Sequence, residues 1–215
     1  MKWLKRDCAL QPVCPEGLAL SFEVPDWNEI YDGCIELANQ IKKSGFNPEI
    51  IVGVARGGWI PARILSDLLG NTYVASMKVE FYKDVAETAK KPVISQQVST
   101  AVEGKRVLVV DDVADTGESL TTVRRNLLGR GASQVKIATL HYKPQSILRP
   151  DFYVRETSAW IVYPHERYEF VGNRVAKFKA QGRSIAEAKE ELVRIGLPKH
   201  IVERFVDECW NSKNS

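Results

Sequence analysis

Residues 107–120 read VLVVDDVADTGESL, an apolar run that passes directly into acidic and small polar residues. Residues 107–110 have the composition of a buried β-strand, and a helix is expected to begin near Ser119. Asp and Ser are good helix N-caps, so a plain capped turn would explain one or two of these residues. It would not explain a strand tip that carries both Asp111 and Asp112. The stretch therefore predicts a strand–turn–helix unit whose turn binds a ligand.

Strand-like and helix-like segments alternate along most of the chain around this unit. The strand-like segments, such as EIIVGV and SQVKIATLHY, are apolar throughout instead of alternating with polar residues. That pattern is typical of an α/β fold with a parallel sheet covered by helices on both faces. From about Tyr168 three helix-like segments follow without strands between them, which predicts a small helical appendage.

The chemistry of the turn favours a sugar phosphate. Ligands of open parallel sheets bind beyond the carboxyl ends of the strands, where residues 111–119 are expected to lie. The turn N–H groups and the helix N-terminus attract an anion, and Gly117 allows the backbone to approach it closely. Thr116 and Ser119 add hydroxyl donors, while the two adjacent aspartates suit vicinal hydroxyl groups.

Bulk composition excludes several other classes of protein. The chain has 215 residues, 44% of them hydrophobic, which suits a packed globular protein and not a disordered one. The net charge of +3 gives no argument for a nucleic-acid partner. No apolar run reaches the roughly 18 residues that a membrane span needs. The four cysteines and three histidines lack zinc-site spacing, so we expect a cytoplasmic protein with free thiols.

The 13-residue pattern VLVVDDVADTGES resembles the phosphoribosyl pyrophosphate (PRPP) signature of the type I phosphoribosyltransferases. The resemblance implies a parallel sheet flanked by helices, with a small hood. It also implies that Asp115 is the acid/base near a purine ring. The ribose and the 5-phosphate would be bound by Asp111, Asp112, Asp115, Thr116, Gly117, Glu118 (through its backbone) and Ser119.

Two further segments resemble the pyrophosphate-binding parts of that family. IVGVARGGWIPA, residues 51–62, matches the pyrophosphate loop, with Arg56, Gly57 and Gly58 as the implied contacts. In the family the peptide bond before the equivalent arginine is often cis. EFYKDVAETAKKPVI, residues 80–94, matches the flexible catalytic loop, where Tyr82 and Lys83 are the implied contacts.

Two segments match the base pocket of purine enzymes, on the xanthine-guanine and archaeal branch. In HYKP, residues 141–144, Lys143 would donate to O6 of the base. In AWIVYPHE, residues 159–166, Trp160 would stack on the base and Ile161 would contact it through its backbone. Glu166 would join Asp111 and Asp112 in holding Mg2+, mostly through water.

The resemblance implies a purine phosphoribosyltransferase that forms a nucleoside monophosphate and pyrophosphate, with PRPP and a purine as substrates and Mg2+ as cofactor. A 6-oxopurine is favoured because Lys143 is a donor. Adenine as the base, and a PRPP-binding regulatory protein, remain alternatives. We expect a core over residues 1–168, with hood pieces near 1–25 and 150–168, and a helical domain over 169–215. A homodimer or higher homo-oligomer is expected, without nucleic acid or membrane.

Overall fold

The computed structural model describes residues 21–71, 73–83 and 90–212. Most of the hood piece expected near residues 1–25, and residues 84–89 of the expected flexible loop, lie outside this description. The described elements are β1 (Phe22–Glu23), α1 (Trp27–Lys43), β2 (Ile50–Ala55), α2 (Trp59–Leu68), β3 (Val74–Lys83), β4 (Lys90–Gln96), β5 (Arg106–Ala114), α3 (Glu118–Gly129), β6 (Gln134–Tyr142), β7 (Phe152–Glu156), β8 (Trp160–Ile161), α4 (Arg167–Ala180), α5 (Ile185–Ile195) and α6 (Lys199–Asn211).

The described chain forms two compact units. One comprises residues 28–158, and the other comprises the described parts of 1–27 and 159–215. The boundary after residue 168 that the sequence predicts stays a prediction. Within the described residues, no helix is long and apolar enough to cross a bilayer.

A six-stranded sheet with the order β4-β3-β2-β5-β6-β7 organises the unit formed by residues 28–158. Strands β3, β2, β5, β6 and β7 are parallel, which confirms the predicted α/β class. β4 departs from the expectation, because it pairs with β3 in the antiparallel direction. Residues 84–89, which separate these two strands, are too few for the crossover that a parallel neighbour requires.

Helices cover both faces of this sheet. Leu120, Val123 and Leu127 of α3 share a buried cluster with strand residues that include Val52 and Val109. Successive strand residues face opposite sides, so Gly53 faces away from that cluster. A Cβ on Gly53 would stand 3.0 Å from the Cβ of Ala62, because α2 packs closely there. Helix α1 covers β6 in the same close way, since a Cβ on Gly33 would stand 3.0 Å from Leu140 Cδ2.

Strand β5 is longer than the sequence predicts. The apolar run ends at Val110, but β5 continues to Ala114. Its pairing with β6 continues as well, with Asp111 opposite Thr139 and Val113 opposite His141. The two aspartates therefore belong to a strand of the sheet, which fixes their backbone more firmly than a turn would.

The second unit combines a short parallel pair, β1 with β8, and the three C-terminal helices. The helices α4, α5 and α6 confirm the three helix-like segments of the sequence. Ser184 caps α5 in a capping box, in which its side chain accepts from the Glu187 N–H and Glu187 bonds back to Ser184. Gly196 ends α5 in the left-handed conformation, at φ 114°. The helices share a buried cluster with Val162.

Candidate active site

The predicted phosphate loop lies between β5 and α3. Gly117 adopts the left-handed conformation, at φ 79°, immediately before the first residue of α3. Its carbonyl accepts from the Thr121 N–H at 2.9 Å, which closes the first turn of the helix. Thr116 and Ser119 border this turn, where helix N–H groups favour a phosphate.

Main-chain hydrogen bonds attach the segment around Lys143 to this loop. The Lys143 N–H donates to the Ala114 carbonyl at 3.0 Å, and the Ile147 N–H donates to the Thr116 carbonyl at 2.9 Å. A side-chain bond lies between them, from Gln145 Nε2 to Asp115 Oδ1 at 3.1 Å. The predicted base-binding lysine and the predicted phosphate loop are therefore held together in one rigid arrangement.

Gly117 also contacts this second segment and has no room for a side chain. A Cβ there would overlap Ser146 Oγ and would stand 2.8 Å from the Leu148 N. The Ser146 hydroxyl donates to the Leu148 carbonyl at 2.9 Å, so the position of Ser146 is itself fixed. A glycine is required at residue 117 by both its backbone conformation and its packing.

The predicted pyrophosphate loop lies beside the acidic end of β5. The Ala55–Arg56 peptide bond is cis, as the resemblance implied. Arg56 is exposed, and the loop places Gly57 against Asp112, so that a Cβ on Gly57 would overlap the Asp112 carboxylate. The structure thus brings this loop together with the acidic end of β5, although the two segments lie far apart in the sequence.

Gly58 is enclosed by backbone at the start of α2. A Cβ there would overlap the Val110 carbonyl and would stand 2.7 Å from the Val54 N. The Gly58 N–H donates to the Val54 carbonyl at 2.9 Å. Gly58 therefore lets the loop pass close to the sheet, and its contact with pyrophosphate stays a prediction.

Three polar side chains are buried where β5 and β6 end, namely Asp112, His141 and Lys143, which are 5%, 9% and 7% exposed. Burial, followed by the positive charge of Arg155, lowers the pKa of His141 to about 4. Lys143 lowers this pKa further, while Asp112 opposes the shift. The imidazole is therefore neutral at pH 7, beside a buried lysine and a buried carboxylate.

This cluster changes the interpretation of Lys143 and adds a residue that the sequence did not predict. A surface lysine before a turn-making proline is excluded, since Lys143 is almost completely buried. His141 was not predicted as a site residue, because a lone histidine in a strand carries no pattern of its own. The sequence feature that could have pointed to His141 is its position two residues before Lys143, in the HYKP segment.

The predicted base-stacking residues belong to the other unit. Trp160 is 54% exposed, which excludes a core aromatic, whereas Ile161 is 8% exposed. The Trp160 N–H donates to the Ser21 carbonyl and the Val162 N–H donates to the Glu23 carbonyl, both at 2.8 Å. These bonds fix the backbone of β8 and leave the indole at the surface of its unit.

The remaining predicted residues are only partly described. Glu166 is exposed and directly precedes α4. Tyr82 and Lys83 lie in the last part of β3, but the positions of their side chains lie outside the described structure. Their predicted contacts with pyrophosphate stay predictions.

Comparisons with known proteins agree with this geometry. The phosphoribosyl transferase domain family matches residues 23–168. A solved purine phosphoribosyltransferase from Pyrococcus horikoshii is 38% identical, with a TM-score of 0.62, over 68% of this chain and 94% of that one. A xanthine-guanine phosphoribosyltransferase from Gluconobacter oxydans is 29% identical over 64% of this chain and 80% of its own length. A hypoxanthine-guanine phosphoribosyltransferase from Streptococcus pneumoniae is 34% identical over 55% of this chain and 67% of its own length.

The family match covers the sheet, both predicted phosphate-binding loops and the Lys143 segment. The relatives agree with the branch that the base-pocket segments resemble. The chain therefore belongs to the type I phosphoribosyltransferase family, within its xanthine-guanine-like branch.

Proposed function

We propose that the protein transfers ribose 5-phosphate from PRPP to N9 of a purine, with release of pyrophosphate, and that it prefers a 6-oxopurine. The observation that carries this proposal is the buried side chain of Lys143. Its main-chain N–H donates to the Ala114 carbonyl, which places the lysine beside the phosphate loop. The purine relatives support the same choice of substrate class.

The proposed reaction breaks the C1–O bond of PRPP while positive charge develops on the ribose. The purine nitrogen supplies the electron pair of the new bond, and the electrons of the broken bond leave with pyrophosphate. Arg56 is suited to the leaving group, because a guanidinium binds phosphate oxygens in pairs. Gly57 lets the loop approach that group without a side chain between them.

Asp115 would accept the proton that the purine loses as its nitrogen bonds to the ribose. The carboxylate is exposed just after the end of β5, and its Oδ1 atom accepts a hydrogen bond from Gln145 Nε2. The second oxygen, Oδ2, would contact the base. Thr116, Gly117, Ser119 and the Glu118 backbone would bind the 5-phosphate, while Asp111 and Asp112 would bind the ribose hydroxyls.

The donor set at the end of β5 fits Mg2+. Carboxylate oxygens are the ligands that this ion prefers, and the Asp112 carboxylate lies against Gly57 of the proposed pyrophosphate loop. Asp111, Asp112 and Glu166 would hold the ion, mostly through water. An ion held by these residues would supply positive charge to the leaving anion.

The choice of base follows from the chemistry of Lys143. An ammonium group is a donor only, and O6 of guanine, hypoxanthine or xanthine is an acceptor. Adenine presents an amino donor at that position, so the buried ammonium would face another donor. A buried polar group without a matching partner is costly, which favours the 6-oxopurines.

Residues 80–94 were expected to form one loop, but most of them belong to the ends of the paired strands β3 and β4. This segment would cover pyrophosphate, with Tyr82 and Lys83 as contacts, and exclude water from the cationic sugar. We further propose that the protein acts as a homodimer or higher homo-oligomer in the cytoplasm. Light scattering at several protein concentrations measures the assembly state, and a monomer at all of them would contradict that part.

The test of function combines binding with turnover. PRPP binding is measured by calorimetry with Mg2+, and pyrophosphate release is then followed with guanine, hypoxanthine, xanthine and adenine in separate reactions. A reaction without base corrects for hydrolysis of PRPP. We expect pyrophosphate and nucleoside monophosphate in equal amounts with at least one 6-oxopurine. PRPP binding without product from any base would instead indicate a regulatory protein.

A further inference from the structure

Asp115 has a side-chain partner that no motif of the sequence assigns. Gln145 Nε2 donates to Asp115 Oδ1 at 3.1 Å, across 30 residues of sequence. Both side chains are exposed at the end of the sheet, where substrate would have to enter. The bond therefore fixes one oxygen, Oδ1, of the carboxylate that the proposed reaction needs.

The backbone on both sides of this bond is fixed. Ala114 accepts from the Lys143 N–H, and Thr116 accepts from the Ile147 N–H. Asp115 lies between Ala114 and Thr116 on one segment. Gln145 lies between Lys143 and Ile147 on the other. The side-chain bond is the middle one of three, so the amide reaches Asp115 from a segment that is held at both ends.

We propose that Gln145 is a positioning residue, which orients the Asp115 carboxylate toward the purine; this inference rests on the proposed function. The amide donates to Oδ1 and directs Oδ2 toward the base. The proton leaves the purine nitrogen and goes to Oδ2, while the nitrogen electron pair forms the bond to the ribose C1.

A neutral amide suits this role better than a cation. An ionised carboxylate accepts hydrogen bonds only, and an amide N–H supplies one without giving up a proton. A lysine or arginine at the same place would add a charge that stabilises the carboxylate and weakens it as a base. Gln145 therefore fixes the geometry and leaves the basicity to the aspartate.

Two variants of Gln145 test this assignment. Gln145→Ala removes the bond, and we expect kcat to fall about three- to tenfold, which corresponds to one orienting hydrogen bond, with the base KM within twofold. Gln145→Glu places a second carboxylate beside Asp115. The acidic limb of the kcat/KM profile should then move to higher pH by about half a unit to one unit.

The matched control is Ile147→Ala in the same segment. The Ile147 side chain is 71% exposed, and its main-chain bond to Thr116 survives the substitution. We expect its kcat and pH profile to equal those of the wild type. Thermal unfolding of all variants reports whether the segment keeps its structure.

Two results would overturn the inference. An unchanged kcat in Gln145→Ala would remove the positioning role, and so would a pH profile that does not move in Gln145→Glu. A rise in base KM at constant kcat would make Gln145 a direct contact of the base instead. Absence of turnover in the wild type would contradict the proposed function itself, which separates the two failures.

Discussion

The Asp112 carboxylate occupies the space that a side chain on Gly57 would fill. Gly57 belongs to the loop predicted to bind pyrophosphate, and Asp112 belongs to the end of β5, which is predicted to bind the ribose. Their close packing explains why the pyrophosphate loop needs a glycine at residue 57, since a side chain would displace either the loop or the carboxylate.

Gly57→Ala should weaken PRPP binding. The added methyl group overlaps the Asp112 carboxylate, and overpacking of this kind costs about 1–3 kcal/mol, or about 5- to 150-fold in affinity. Calorimetric titration with PRPP and Mg2+ measures the effect. Gly129→Ala is the control, because a Cβ there meets nothing within 4 Å, and its affinity should equal that of the wild type. Equal affinity in both variants would contradict the packing argument.

Asp115→Asn should lower turnover while PRPP binding stays largely intact. The amide cannot accept the proton of the purine, and loss of a general base costs about 10²–10⁴-fold in rate. Its Oδ1 can still accept from Gln145, so the geometry is preserved. Single-turnover kinetics and PRPP titration measure the two effects, with the exposed Asp32→Asn on α1 as control. Wild-type turnover in Asp115→Asn would remove the proposed acid/base role.

Lys143→Met should lower kcat/KM for a 6-oxopurine by about 10- to 100-fold, the value of a hydrogen bond from a charged group. Methionine keeps much of the buried stem, so the fold should persist. Steady-state kinetics at saturating PRPP measures the change. The control is Lys199→Met, whose side chain is 79% exposed on α6. A loss of PRPP affinity with unchanged use of the base would place Lys143 in the phosphate site instead.

Trp160→Ala should raise the KM for the base, because it removes a stacking surface worth about 1–3 kcal/mol. Trp160→Phe keeps an aromatic face and should recover most of the affinity. Initial rates over a range of base concentrations measure both. If the alanine variant keeps the wild-type KM, the exposed indole has another role.

The free energy of unfolding should decrease as the pH is lowered from about 6.5 to about 4, because the folded protein buries His141 in its neutral form. Its pKa is lowered to about 4 from 6.5, chiefly by burial, so the unfolded chain takes up the proton first. The loss begins near pH 6.5, reaches about 2 kcal/mol at pH 5, and levels off below about pH 4. Urea unfolding at pH 7.5 and pH 5 measures it. His141→Leu should show a smaller difference between the two pH values, and an equal difference would contradict this origin.

The strand–turn–helix unit at residues 107–120 could be predicted because an apolar run, two acids and Asp-Thr-Gly-x-Ser are local signals. The continuation of β5 to Ala114 could not be predicted, because it results from pairing with β6. The composition of residues 111–114 gives no sign of a strand. The reversal of β4 depends on the length of its connection to β3. Strand periodicity alone does not show that.

In the candidate site, too, some features could be predicted from the sequence and others could not. Arg56, Asp112 and Lys143 were predicted from motifs, and the structure places their segments at one end of the sheet. The bond from Gln145 to Asp115 and the buried His141 depend on tertiary packing of β5 and β6. A single glutamine or histidine without a motif gives no signal in the sequence.

The central claim is a preference for a 6-oxopurine, and an internal competition tests it most directly. The protein is incubated with PRPP, Mg2+ and equimolar hypoxanthine and adenine, and the two nucleotides are separated by chromatography at low conversion. Their ratio equals the ratio of the two kcat/KM values. We expect inosine monophosphate to exceed adenosine monophosphate at least about tenfold, because the buried Lys143 matches O6 and not an amino group. An excess of adenosine monophosphate, or neither product while PRPP binds, would contradict the account.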